Sequence, residues 1–350
     1  MAVKKIRVLV VDDSLFMREF ISSKLAADPT IEVVGKVGNA YDARDKIIEL
    51  APDVMTLDIQ MPGLDGIEFL RKLMPQYPLP VVVVSAVSER VFDAMKAGAV
   101  DFITKSAMKS DRERQSFISE LIVKLKIASI AKVGRHKHSP LRDIIDSRSA
   151  GRESSDAIIA IGASTGGTEA LYTILKGLGC HLPGIVVVQH MPPVFTQLYA
   201  DRLNNDCAME VKEAADGDEV KPGRVLIAPG GLHMTVARRG ARLIAACREG
   251  EKVSGHCPSV DQLFLSVSKL KGLKSLGILL TGMGSDGANG LLEMKKAGAQ
   301  TIGQDKQTCV VYGMPAVARK IGAVDQELPV QDIARHICGW YDREVGGGKK

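Results

Sequence analysis

Two sets of residues in this chain have the types and spacing that chemistry requires. In the first half, Asp12-Asp13, Asp58, Ser85 and Lys105 each stand at the end of an apolar run. Carboxylate oxygens are the ligands Mg²⁺ prefers, and a carboxylate can also attack a phosphoryl group and hold it as an aspartyl phosphate. In that chemistry Asp58 is the nucleophile, while Asp12 and Asp13 hold Mg²⁺ together with Asp58 itself. Lys105 offsets charge on the equatorial oxygens, and Ser85 donates a hydrogen bond to the bound phosphoryl group. Any one of these residues alone would be an ordinary solvated loop residue, so the reading rests on their joint occurrence.

The second set lies after residue 156. Ser164 sits in Gly162-Ala163-Ser164-Thr165-Gly166-Gly167, between the apolar run Ile158–Ile161 and a helix-like segment, Glu169–Leu175. A serine between glycines at a strand-to-helix turn is held at the sheet edge beside helix amides, which is a nucleophile's position. His190 follows the run Ile185–Val188, and Asp286 lies in Thr281–Gly287, just past Leu276–Leu280. Ser164 then attacks, His190 removes its proton, and Asp286 fixes the imidazole tautomer and stabilises the imidazolium. Backbone amides near Thr165 or Met283 are placed to donate to an oxyanion.

One competing pattern overlaps this set. Gly282–Gly287 also reads as G-x-G-x-x-G after a strand, with Asp305 near the ribose-binding distance, as in half of a dinucleotide site. Asp286 would put a carboxylate where that loop must cradle pyrophosphate, which is electrostatically unfavourable. The order Ser, His, Asp also differs from the Ser, Asp/Glu, His order of α/β-hydrolases. Spacing gives His233 and His256 no partner, so both read as structural. Cys257 beside His256 has no second ligand pair at zinc-like spacing, and no cofactor is expected in this half.

These residues need sheets to bring them together. Buried-strand runs at Val8–Val11, Ile31–Val34, Val54–Leu57, Val81–Val84 and Asp101–Thr104 alternate with helical segments such as Phe16–Leu25 and Ala40–Leu50. That alternation predicts a doubly wound α/β domain with a five-stranded parallel sheet, whose functional groups gather at the carboxyl ends of its strands. From about Ser129 to Ser155 the periodicity gives way to a basic stretch bearing Ser and Gly. Beyond it, Ile158–Ile161, Ile185–Val188, Val225–Ile227 and Leu276–Leu280 predict a second α/β domain with a mainly parallel sheet. The expected division is 1–125, a linker over 126–155, and 156–350.

Composition narrows the function classes. The chain has 350 residues, 45% hydrophobic and 25% charged, enough for two packed cores and unlike a disordered or collagen-like chain. Its net charge of +5 is local, because Lys109–Glu153 holds 11 Lys/Arg against 6 Asp/Glu. A broad basic face for nucleic acid is therefore not expected. All six cysteines lie in the second half without CxxC spacing, which reads as reduced, mostly buried thiols. The first apolar run stops at Asp12, too short for a signal peptide, and no run reaches the roughly 20 residues of a membrane span. A cytoplasmic protein without membrane insertion is expected.

Residues 1 to about 125 resemble a two-component receiver domain. The resemblance lies in Val10-Val11-Asp12-Asp13-Ser14, the stretch Leu57–Gly66 and Asp101–Lys105. It implies a histidine kinase as phosphodonor, and an aromatic at Phe102 that turns inward when the nearby hydroxyl engages phosphate. One position departs from the pattern. Ser106 follows Lys105 where receivers carry Pro, so the turn there is expected to differ.

The second half resembles the catalytic domain of the chemotaxis methylesterase CheB. The matching pieces are Gly162–Gly167, Val188–Pro192, Ala228–Met234, Pro258–Asp261, Leu280–Ala288, Gly303–Asp305 and Tyr312–Pro315. The resemblance implies hydrolysis of glutamyl γ-methyl esters on methyl-accepting chemoreceptors, with release of methanol, and deamidation of receptor glutamines through the same γ-glutamyl enzyme ester. It assigns Ser164, His190 and Asp286 as the triad, with the Met283 amide and Thr165 supporting the oxyanion. It also implies a chemotaxis histidine kinase as partner, and a receiver that covers the catalytic cleft until Asp58 is phosphorylated. The alternatives are a response regulator whose second half only binds a ligand such as a dinucleotide, or one whose output binds DNA. The latter would need a helix-turn-helix and fewer strands.

Overall fold

The computed structural model describes residues 4–86, 89–105, 110–134 and 157–345. Ser106 and most of the expected linker lie outside the described residues. The chain divides into two compact units, 1–136 and 137–350.

The first unit runs β1 (Ile6–Val11), α1 (Leu15–Leu25), β2 (Ile31–Val37), α2 (Ala40–Leu50), β3 (Val54–Leu57), α3 (Gly66–Leu73), β4 (Val81–Ser85), α4 (Val91–Lys96), β5 (Asp101–Thr104) and α5 (Asp111–Ala128). Its sheet is parallel in the order β2-β1-β3-β4-β5. Val8–Val10 and Val81–Val83 are fully buried, because helices cover both faces of the central strands, and so the sequence shows unbroken apolar runs there. Ser14, Asn39, Asp65 and Ser110 cap α1, α2, α3 and α5 by accepting from first-turn amides, and Ser110 forms a capping box with Glu113. The expected boundary at 125 falls inside α5, since buried Leu121, Leu125 and Ala128 carry the helical pattern further.

The second unit begins β6 (Ala157–Ala163), α6 (Gly167–Lys176), β7 (Gly184–Gln189), α7 (Phe195–Asp206), β8 (Glu210–Glu213), β9 (Glu219–Val220) and β10 (Arg224–Ile227). It continues with β11 (His233–Arg239), β12 (Arg242–Arg248), α8 (Val260–Ser268), β13 (Lys274–Leu279), α9 (Ala288–Lys296), β14 (Gln300–Gln304), α10 (Met314–Lys320), β15 (Gln326–Leu328) and α11 (Val330–Glu344). The large sheet has seven parallel strands in the order β15-β14-β13-β6-β7-β10-β8. A separate antiparallel sheet, β11-β12-β9, packs its alternate residues Met234, Val236, Leu243 and Ala245 into the same core as Val260, Phe264 and Leu291. From β6 the chain leaves toward β7 on one side and is joined by β13 on the other. The topological switch point therefore lies beside β6, where a ligand crevice opens in sheets of this kind.

None of the six cysteines forms a disulfide among the described residues, but only Cys247 and Cys309 are buried. Cys207, Cys257 and Cys338 are half-buried and Cys180 is exposed, Cys338 lying on α11 and the other three in turns or at a helix end. Among the described residues no helix is long and apolar enough to cross a membrane.

Candidate functional site

The serine turn of the second unit depends on close backbone approaches. A Cβ on Gly162 would come 2.1 Å from Val260, and one on Gly167 would come 2.2 Å from Gln189 Oε1. Gly166 has φ +77°, in the left-handed region that only glycine enters at little cost, and begins α6. Gly282 abuts Ser164, since a Cβ there would lie 2.5 Å from Ser164 Cβ. Ser164 N donates to Thr281 O at 3.0 Å, and Ser164 O accepts from Gly167 N at 2.7 Å and from Gln189 Nε2 at 3.0 Å. The peptide on each side of the serine is therefore fixed, while its side chain stands half-buried at the sheet edge.

His190 occupies the matching place on the neighbouring strand. β6 and β7 pair Gly162 with Val188 and Ala163 with Gln189, so Ser164 and His190 come next in register. His190 N donates to Ala163 O at 3.1 Å. Its Nε2 lies 2.8 Å from Asp286 Oδ2, with both side chains over nine-tenths buried. Its Nδ1 is buried too, and has no hydrogen-bond partner among the described residues.

Asp286 is held by more than the histidine. Its Oδ2 also accepts from Val260 N at 2.8 Å, and its Oδ1 accepts from Asp261 N at 3.0 Å and from Ser259 Oγ at 2.8 Å. It thus caps α8 from outside, drawing on the amides that open that helix. Burial works to raise its pKa, yet the contacts with His190 and with the Asp261 and Val260 amides outweigh it and hold the carboxyl below its usual range. The arrangement is reciprocal. Asp261, in the first turn of α8, accepts from Gly290 N of α9 at 2.7 Å, and α9 follows directly on Asp286-Gly287. Burial first, and then the Asp286 charge, push Asp261 up.

These contacts also decide between the readings of Gly282–Gly287. The Asp286 carboxylate fills the space in front of the α8 amides, and Asp305 accepts from Thr308 N and Oγ1 at 2.9 and 2.6 Å within its own turn. Neither residue is arranged for a dinucleotide. Thr165 is buried, with its carbonyl accepting from Thr281 Oγ1 at 3.0 Å, and Met283 lies exposed one residue past Gly282. The ring of His233 bridges Ser259 N and Glu251 O at 3.2 and 2.8 Å. His256 is not remote from the chemistry: its ring stacks on His190 at 3.7 Å between centroids and 8° between planes. The roles of Ser259 and Asp261 were not drawn from the sequence, although Ser259-x-x-Gln262 before an apolar run is a capping-box signal. No spacing signal marks His256.

In the first unit Asp12, Asp13 and Asp58 place carboxylate oxygens within 4.8 Å of one another. The Lys105 ammonium lies 2.5 Å from Asp58 Oδ2 and 2.7 Å from Asp12 Oδ2, the latter an ion contact without hydrogen-bond geometry. Burial and the Asp58 charge raise the Asp12 pKa against the pull of Lys105, and the two carboxylates raise the Lys105 pKa despite its burial. Gly66 lets α3 start against the end of β3, since a Cβ there would sit 2.3 Å from Asp58 O. Ser85 is fully buried at the end of β4, opposite Thr104 in register. Phe102 is buried and meets Phe92 edge to face at 6.2 Å.

Comparison with known proteins agrees with both units. The CheB methylesterase family model matches residues 159–337, and the response regulator receiver domain model matches 8–114. The chain belongs to the CheB methylesterase family. It is 53% identical over 339 residues to the protein-glutamate methylesterase/protein-glutamine glutaminase 2 of Syntrophomonas wolfei subsp. wolfei, covering 96% of this chain and 98% of that relative. It is 51% identical over 342 residues to the corresponding protein of Syntrophotalea carbinolica, covering 95% and 97%. The crystal structure of the Thermotoga maritima CheB methylesterase catalytic domain superposes with a TM-score of 0.52 at 39% identity, covering 53% of this chain and 98% of that one. Membership in the CheB family thus accounts for a receiver fold followed by a seven-stranded α/β fold.

Proposed function

We propose that the chain is a phosphorylation-activated protein-glutamate methylesterase and protein-glutamine glutaminase that acts on methyl-accepting chemoreceptors in chemotactic adaptation, with Ser164 as its nucleophile. The observation that carries the catalytic assignment is the His190 ring. One nitrogen is tied to a buried, multiply hydrogen-bonded carboxylate, and the other is buried and unpartnered on the residue that adjoins Ser164 in register.

Asp286 keeps the proton on Nε2, so Nδ1 is the basic end of the imidazole. Nδ1 takes the Ser164 proton as Oγ attacks the γ-carbonyl carbon of the ester. The tetrahedral intermediate then expels methoxide, which receives that proton and leaves as methanol. Water adds to the γ-glutamyl ester on Ser164 with the same base, returning the serine and a glutamate side chain. A glutamine follows the same route and loses ammonia. The Met283 amide and Thr165 support the oxyanion, in a position set by Gly282 against Ser164.

Asp58 is the phosphoacceptor, and a chemotaxis histidine kinase is its donor. The pocket fits a divalent cation, because three clustered carboxylates face one ammonium and Asp12 Oδ2 is buried without a hydrogen bond. Asp12, Asp13 and Asp58 would hold Mg²⁺, which neutralises charge on the phosphoryl oxygens. Lys105 faces the same oxygens, Ser85 donates to the bound group, and Phe102 reports the change inward. Methanol release from methylated receptor fragments, with and without acetyl phosphate, tests the proposal. Ser164→Ala is expected to abolish release while Asp58 still accepts phosphate, and retained release would overturn the assignment.

A further inference from the structure

The segment between β12 and α8 has more internal order than a connecting loop requires. Val253 and His256 exchange both backbone hydrogen bonds, Val253 N to His256 O at 3.0 Å and His256 N to Val253 O at 2.9 Å. The two residues between them, Ser254 and Gly255, have φ of +52° and +84°. This is the pattern of a type I′ turn, with positive φ at both central positions. A serine in the left-handed region is held there at some cost, so the surrounding structure must over-determine the turn.

His233 supplies that constraint. Its Nδ1 accepts from Ser259 N at 3.2 Å, and its Nε2 lies 2.8 Å from Glu251 O, so a single buried ring ties both stems of the segment. Gly250 fits beneath it, where a Cβ would approach His233 Cδ2 to 2.9 Å. The far stem ends in Ser259, which donates to Asp286, so the same segment carries both a partner of the triad carboxylate and the residue that covers the triad imidazole. His256 leaves the turn with its ring face to face on His190, at 3.7 Å and 8°.

We propose that His256 is a positioning residue for the catalytic base. The Nε2 contact to Asp286 fixes one point of the buried His190 ring, and the tilt of the ring about that point depends on what packs against its faces. His256, stacked flat on one face, sets that tilt and with it the direction of the unpartnered Nδ1. Stacking also shields the face from water, which strengthens the charge interaction with Asp286. His256 thus acts through His190. The proposal rests on the triad reading given above.

The test uses the full chain activated with acetyl phosphate and compares His256→Ala and His256→Phe. The readouts are kcat and KM for methanol release, and the rate of Ser164 labelling by a small fluorophosphonate, which requires the base but little of the receptor surface. Misplacement of a catalytic group by about 1 Å can cost about 100-fold, so His256→Ala is expected to lower kcat by about 10- to 100-fold with KM little changed. Labelling should slow by the same factor, and His256→Phe, which keeps a flat ring, should recover most of both. An Ala variant with unchanged kcat, or with KM alone raised, would overturn the proposal, as would a Phe variant as slow as the Ala variant. Where the Ala variant does not fold, the labelling rate of the Phe variant decides: near wild type supports stacking, and slow labelling overturns it. Ser164→Ala and His190→Ala in the same assay separate the two readings. Turnover retained in both removes the triad and the stacking role together, whereas turnover lost in both with His256→Ala unaffected removes the stacking role alone.

Discussion

Single residues carry the chemistry through contacts that spacing only partly discloses. The places of Ser164, His190 and Asp286 past neighbouring strands were legible because each follows an apolar strand run. Ser259 and Asp261 were not assigned roles, because their work is to hold another residue's carboxylate across a loop, and no periodicity encodes that. His256 escaped for a related reason, since stacking leaves no mark in sequence spacing. Asp286→Asn keeps the size of the side chain but no longer enforces a proton on His190 Nε2. Methanol release is expected to fall by about 10⁴-fold, as for loss of the acid in a serine-protease triad, while Asp58 phosphorylation is unchanged. Ser259→Ala removes both a donor to Asp286 and the N-cap of α8. A stability loss of about 1 kcal/mol in thermal or denaturant unfolding is expected, with a lower kcat. An unchanged kcat would show that the remaining Val260 and Asp261 amides suffice to place the carboxylate.

Elements were legible in proportion to how fully they are buried. β1, β3, β4, β6, β7 and β13 announce themselves as apolar runs because both faces are covered. β8, β9 and β15 are short and half exposed, and β14 reads Gln-Thr-Ile-Gly-Gln, so none has a hydrophobic signature. In the β11–β12 hairpin only β12 alternates buried and less buried residues, and β11 ends in the exposed run Ala237–Arg239, so the period-two signal is weak. Close approach between elements is equally specific. Gly282→Ala would force a Cβ to within 2.5 Å of Ser164 Cβ and 2.4 Å of Met314 Sδ, so the serine turn must shift. Fluorophosphonate labelling of Ser164 is expected to fall at least about 100-fold, and labelling at the wild-type rate would contradict the placement. In the receiver, Lys126 of α5 bonds Asp28, just after α1, at 2.8 Å and with Thr30 holds its pKa down to about 2. The folded value lies below the unfolded one, so this contribution is complete above about pH 4 and is lost as pH falls toward about 2. Asp28→Asn should flatten the decline of receiver stability across that window in denaturant titrations. An undiminished slope would place the acid sensitivity elsewhere.

At the scale of the whole molecule, the chain joins a phosphoacceptor unit to a hydrolase unit, and the excess of +5 charge belongs to the stretch between and around them. The order of the two units was legible from alternating strand and helix patterns, whereas the junction at 125 was not, because the last receiver helix carries its apolar spacing past it. Coupling between the units predicts that Asp58→Asn leaves basal methanol release intact and removes its stimulation by acetyl phosphate. Persistent stimulation would locate the switch away from Asp58. Acid quenching during turnover of a methylated receptor fragment, followed by peptide mass analysis, reads the covalent role of Ser164. A γ-glutamyl ester is expected on the peptide containing Ser164 and is expected to disappear in Ser164→Ala. Methanol release with no adduct at Ser164, or with the adduct on another residue, would contradict that role.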